Sequence, residues 1–348
     1  MSSKGLALLK RCTDFLHREA RQFITVKNVR RPWLLPIASA AALGGPVLLG
    51  AYAQQLNAGL TASLGGLVFL YLPATAPWRE GLRSLLTTCG AMLAFCAIGL
   101  AASTVTLLQV PALTLLTVLA TLYCRRFSLG GPPGSLFLVI AASVAASSHA
   151  PLAQWLSRLG LIALGCLWGV AMAGVYSLLT PTASPAKDTQ PPGGAVTGHL
   201  RPAVSIGAVV GLSLLVAQLL RLNNPWWVPV SCLAVIQGVS LREIWSRQLH
   251  RMVGTAAGLL WVSTLFNIPL SEWQVAGWIV LLSFAIELTV TRHYATAVMF
   301  ITPMTILLAD AGQAHQTSLW SLAQSRLLDT MLGCLIGLLG GVWLHRRS

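Results

Sequence analysis

The sequence predicts an all-α polytopic membrane protein with about twelve transmembrane helices, arranged as two parallel six-helix repeats. Three observations predict it. Hydrophobic residues make up 55% of the 348 and charged residues only 9%, against about 25% charged in ordinary soluble domains, and mean hydropathy is +0.72. Apolar runs follow one another along the chain, separated by short basic stretches. The phrase SRLGLIALGCLWG at 157–169 returns as SRLLDTMLGCLIG at 325–337, with eight of thirteen positions identical at an offset of 168.

Residues 1–31, MSSKGLALLKRCTDFLHREARQFITVKNVRR, interrupt every apolar run with charge, so they lack the continuous core of a cleaved signal peptide. Leu6, Leu9, Cys12, Leu16 and Phe23 recur at roughly helical spacing with basic residues between them. The segment is expected to be cytoplasmic, either as an amphipathic helix on anionic lipid or as a frayed basic tail. Twelve apolar segments follow, near 33–53, 59–73, 86–106, 109–124, 132–148, 155–180, 203–221, 226–240, 252–267, 273–290, 294–309 and 323–344. Several are shorter than the roughly 20 residues that cross a bilayer, which raises re-entrant elements as an alternative. Charge placement opposes it. With all twelve spanning and the N-terminus inside, 20 of the 23 Lys and Arg face the cytoplasm, and only Arg158, Arg221 and Arg326 lie outward.

The offset of 168 also aligns Ser63 with Ser231, Arg79 with Arg247, Arg83 with Arg251, Thr87 with Thr255 and Gly90 with Gly258. Two copies of one unit result, at 32–181 and 202–348. Because six is even, both copies enter from and return to the cytoplasm, so the repeat is parallel, with its axis along the membrane normal. Residues 182–201, rich in Pro, Gly and small polar residues, read as a flexible cytoplasmic linker.

The net charge of +14 would suggest nucleic acid in a soluble chain, but here it is spent on topology. The seven cysteines lie in apolar segments without CxxC or Cys/His spacing, so neither a disulfide framework nor a metal site is expected. No Walker A loop, GxSxG or HExxH is present, so no enzyme and no cofactor is expected.

Polar residues at membrane depth are the candidate functional groups, because they are costly unless they face a bundle interior or a water-filled cavity. At about 100° per residue, Arg326, Asp329, Gly333, Gly337 and Gly340 fall in one stripe of the last helix, and Arg158, Gly165 and Gly169 repeat it in the sixth. Small residues at this spacing let helices approach closely. Arg247, Arg251, Gly254 and Gly258 share a face of the ninth helix if it begins before its apolar run. These arginines either attract an anion crossing between the halves, or Arg326 and Asp329 neutralise each other at i,i+3 while the inner arginines snorkel to phosphate. Glu287, set in SFAIELTV, is either a proton-coupling carboxyl or the partner of Arg292. Asp310 and His315 are expected to be solvated in an outer loop. Trp226 and Trp227 read first as interfacial anchors, with stacking on an aromatic substrate as the alternative.

Trp227 near a helix start, RQLHRMVGTAAG at 247–258, Tyr294 followed by ITP at 301–303, and RLLDTMLG at 326–333 together resemble the membrane domain of the FUSC family. That family contains fusaric acid resistance proteins and aromatic acid exporters, and its membrane part is similar to plant aluminium-activated malate channels. The resemblance covers most of the second copy and, more weakly, the first. It implies a bacterial inner-membrane exporter and places Trp227 and Tyr294 among the substrate-path residues, while the charge bias and the even number of spans put both termini in the cytoplasm. Many members carry a large cytoplasmic domain, which is not expected here. Leu161, Leu86 and Ser135 stand in the first copy where the second has Asp329, Gly254 and Pro303, so the polar chemistry is expected in the second.

The resulting expectation is export of small organic anions, such as aromatic carboxylic acids, by proton-coupled antiport. Arg326, Arg158, Arg247, Arg251, Trp227 and Tyr294 would line the path, and Glu287 or Asp329 would carry the proton. A passive anion channel and a non-transporting membrane scaffold are the alternatives. Periplasmic or outer-membrane efflux partners are left open.

Overall fold

A computed structural model describes residues 25, 31–73, 78–127, 129, 134–148, 150–180, 196–238, 240–265, 270–310 and 319–346. The predicted N-terminal amphipathic segment, except for Thr25 and Arg31, and most of the predicted linker lie outside the described residues. Twelve α-helices succeed one another: α1 Leu34–Tyr52, α2 Leu56–Gly66, α3 Trp78–Ser103, α4 Thr106–Arg126, α5 Leu136–Ser147, α6 Trp155–Leu179, α7 Val196–Leu219, α8 Trp227–Ile236, α9 Leu241–Leu265, α10 Glu272–Thr289, α11 Tyr294–Asp310 and α12 Leu319–His345. Each overlaps one of the apolar segments read from the sequence, and the chain is all-helical among the described residues.

Their lengths are unequal. Among the described residues, six regions, at 34–52, 78–103, 106–126, 152–179, 200–219 and 324–345, are long and apolar enough to cross a membrane. By contrast α8, with 10 residues, is about 15 Å long at 1.5 Å per residue, half the hydrocarbon thickness. The bundle resolves this by enclosing it: all ten residues of α8 are buried. A helix apolar all round belongs inside protein, and broken backbone at membrane depth is tolerated where protein or a water-filled cavity surrounds it. In the same way α2 runs on as a 3₁₀ helix over Leu67–Tyr71, four of whose five residues are buried.

Packing follows sequence locally and crosses between the two halves of the chain most extensively at two places. Within the halves, α2 packs on α6 and α8 on α12, α3 on α5 and α9 on α11. Between them, α1 lies along α10 and α4 along α7. The repeated glycine phrase sits at two of these contacts. A Cβ on Gly165 would run into the carbonyl of Ala62 on α2, and one on Gly333 into the Val228 carbonyl on α8. A Cβ on Gly337 would lie 2.8 Å from the Cys232 carbonyl. Backbones in this close approach leave no room for a side chain.

Local chemistry fixes some ends. Ser271 caps α10: its hydroxyl accepts from the Gln274 amide, and the Gln274 side chain accepts from the Ser271 amide at 2.8 Å. The ninth helix begins three turns before its apolar run, at Leu241, which carries Arg247 and Arg251 on the helix. Between α7 and α4, Gln218 donates to Gln109 at 2.8 Å, pairing two polar side chains across the halves.

Candidate functional site

A cavity of about 2470 Å³ lies between the halves. Its lining gathers the first turns of α1, α7, α9 and α11 and the last turns of α4, α10 and α12, so it opens at the end of the bundle where odd-numbered helices begin. Both ends of α12 contribute, Trp343, Leu344 and His345 at one and Arg326 and Thr330 at the other, and His345 and Arg326 are about 28 Å apart at the helical rise. The cavity is therefore deep enough to run through most of a bilayer.

Of the residues predicted from sequence, Arg326, Arg247, Arg251, Trp227, Tyr294 and Glu287 line this cavity. Asp329 lies one turn beyond Arg326 on α12 and is not part of the lining. Arg158 lies outside it, half-buried, and donates to Gln154 at 3.4 Å. Residue substitution explains the difference between the two arginines of the repeated phrase. At the offset of 168, Gly59 stands for Trp227 and Phe137 for Thr305, so Arg158 has neither an aromatic platform nor a hydroxyl.

At the deep end the Arg326 guanidinium carbon lies 3.3 Å from the centroid of the Trp227 ring, and an Nη atom donates to the Thr305 hydroxyl. One turn along α8, about 6 Å, the Ser231 hydroxyl accepts from Arg251 at 3.2 Å. Tyr294 accepts from the other Arg251 Nη at 3.5 Å, an outer-limit contact. Two guanidiniums thus stand on successive turns of one helix face. Arg251 is 9% exposed and has no carboxylate within 4 Å among the described residues. Its Nε–H has no hydrogen-bond partner among them, nor does the indole N–H of Trp227, and both atoms are buried. Unpaired buried donors are costly, and a buried cation with only hydroxyl partners more so.

Nearer the mouth, Arg247 is paired with Glu243 at 2.7 Å on the same helix. Glu287 on α10 is paired with Arg31, just before α1, at 2.6 Å. The sequence offered Arg292 as its partner; the structure gives it a cation from the other half. Likewise no ion pair joins Arg326 to Asp329, because stacking on Trp227 and the bond to Thr305 draw the guanidinium toward α8 and α11. Trp227 is 5% exposed, so it is an interior platform for Arg326, not an interfacial anchor. Asp310 ends α11, and nothing is described of its side chain; His315 lies outside the described residues.

Sequence reasoning missed Thr305 and Arg31 as site residues. Thr305 gave no signal in an apolar helix, and Arg31 was one of eight basic residues ahead of the first helix. Ser231 was visible only as the counterpart of Ser63, whose hydroxyl instead donates to the Leu43 carbonyl at 2.7 Å.

Residues 205–340 match the family described as fusaric acid resistance protein-like. The match begins in α7, runs into α12 and includes Trp227, Ser231, Arg251, Tyr294, Thr305 and Arg326. The chain is also 34% identical over 145 residues to the uncharacterized membrane protein YvaC of Bacillus subtilis (strain 168); the aligned stretch is 41% of this chain and 23% of that protein. No solved structure matches. The protein is a multi-pass membrane protein, and its residues 205–340, which carry the deep arginines, are similar to the fusaric acid resistance protein-like family.

Proposed function

We propose that the protein exports small organic anions through the cavity between its halves, with aromatic carboxylic acids such as fusaric acid as the substrate class suggested by the family. One observation carries the reading: among the described residues, Arg251 is buried in the cavity wall with hydroxyl partners only and an unpaired Nε–H, beside the unpaired indole N–H of Trp227. A carboxylate arriving there supplies the missing charge and the missing acceptor together. Arg326, stacked on Trp227, lines the same cavity one turn away.

The architecture we propose is two six-helix units, 32–181 and 202–348, with both termini cytoplasmic in a bacterial inner membrane. Supporting it, the contacts α2 to α6, α3 to α5 and α1 to α10 recur as α8 to α12, α9 to α11 and α7 to α4 when each helix number moves by six. In this orientation the cavity opens to the cytoplasm, where a substrate for export is collected. The driving force we propose is proton-coupled antiport, with Glu287 or Asp329 as the proton carrier. The basic mouth attracts anions, and its Arg31–Glu287 pair joins the two halves where the cavity opens.

Uptake of a radiolabelled aromatic acid panel into inside-out vesicles tests this, using purified wild type and Arg251→Gln with and without an imposed proton gradient. Gradient-driven accumulation that is lost in the variant is expected. Equilibration without accumulation would make the protein a passive anion channel, and absence of flux for every acid would remove the transport reading in favour of a scaffold.

A further inference from the structure

Asp329 is 1% exposed, and neither of its carboxylate oxygens has a hydrogen-bond partner among the described residues. It sits one turn from Arg326 on the same helix, yet Arg326 is turned away onto Trp227 and Thr305. We infer that Asp329 is a proton-binding site positively linked to the anion site: anion on the deep arginines favours the protonated acid, and the ionised acid draws Arg326 away from the anion. This rests on the anion-site reading above and assigns it a sign.

Asp329 and the anion compete for a single guanidinium. An ionised carboxylate enclosed without a donor is not a stable arrangement, and the cation one turn away on its own helix is Arg326. Rotating Arg326 toward Asp329 at i,i+3 costs the stack on Trp227 and the bond to Thr305. With Asp329 neutral, Arg326 keeps those contacts in the cavity wall. Among the described residues, the other groups do not provide a substitute. From α9 the nearby cation is Arg251, engaged by Ser231 and Tyr294. From α8 the titratable group is Cys232, and α12 adds Cys334, both buried thiols. The titratable residues of α7, His199 and Arg201, lie in its first two turns at the opposite end, and Arg221 beyond its last turn is exposed.

The sign has a mechanistic consequence. Antiport through one site requires that proton and substrate exclude each other, whereas this linkage makes each favour the other. Asp329 is therefore excluded as the proton carrier of an antiport cycle, and Glu287 remains.

The test uses the full chain in detergent with benzoate as the probe. Benzoate added in weak buffer near neutral pH should cause proton uptake by wild type, read with an indicator dye. Its affinity should fall with rising pH, approaching tenfold per unit, the limit for one linked proton. Asp329→Asn, which mimics the neutral acid, should bind benzoate without proton uptake and with little pH dependence. A carboxylic acid band in the infrared difference spectrum of wild type should grow on benzoate binding, and this readout does not depend on the variant folding. Binding without proton uptake, or with proton release, overturns the linkage and leaves the anion site standing. No benzoate binding at any pH overturns both.

Discussion

The guanidinium of Arg326 is stacked on the ring of Trp227, 3.3 Å from its centroid, although the two residues are 99 positions apart in sequence. The contact turns the arginine of a repeated phrase into part of a cavity wall. Replacing Trp227 with Leu removes the platform but keeps the volume apolar. A desolvated cation–π contact contributes about 0.5–2 kcal/mol, so benzoate affinity should fall roughly 2- to 30-fold, with Phe falling less. Equilibrium binding to the purified protein checks this, and unchanged affinity in Leu would remove the stack from the site.

The two halves should answer differently to the same substitution. Arg251 is buried in the cavity, whereas Arg83, its counterpart at the offset of 168, is exposed. Arg251→Gln should lower anion flux by more than about thirtyfold, the effect of losing a direct charge contact worth about 2 kcal/mol or more. Arg83→Gln should leave flux unchanged and alter stability by less than about 0.5 kcal/mol. Flux in vesicles at matched protein density decides between them.

The Arg31–Glu287 pair should behave as a coupled unit. Each single charge reversal, Arg31→Glu or Glu287→Arg, leaves like charges opposed at the cavity mouth and should lower the thermal midpoint. The double reversal should recover part of the loss, with a coupling energy of about 0.5–3 kcal/mol. Additive losses would show that the pair does not join the halves. Separately, Glu287→Gln should flatten the pH dependence of export; an unchanged profile would deny it the proton-carrier role.

Close helix approach predicts position-specific effects of glycine substitution. Gly333→Ala and Gly165→Ala place a methyl against the backbone of α8 and α2, where nothing can yield cheaply, and should each cost about 1–3 kcal/mol. Gly160→Ala and Gly277→Ala meet nothing within 4 Å and should be neutral or stabilising by up to about 1 kcal/mol. Thermal unfolding in one detergent compares all four.

Much of this was legible before folding. Hydropathy marked twelve helices, because each must hide its backbone polar groups from lipid whatever its neighbours do. The stripe of Arg326, Asp329 and three glycines followed from helical periodicity alone. Glycine in that phrase is explained by the neighbouring backbones of α2 and α8, and the sequence could say only that small residues were required. Arg31 and Thr305 were not legible, since nothing in the sequence around either distinguishes it from other basic or apolar stretches.

The sequence by itself determined the membrane class, the twelve helical segments and the richer polar chemistry of the second half, because composition and 3.6-residue periodicity act locally along the chain. Tertiary structure decided the rest: which arginines share a cavity, that Glu287 meets Arg31 instead of Arg292, and that Arg326 turns to Trp227 instead of Asp329. Those choices are made between helices far apart in sequence, where a side chain takes whichever partner the packing brings within reach.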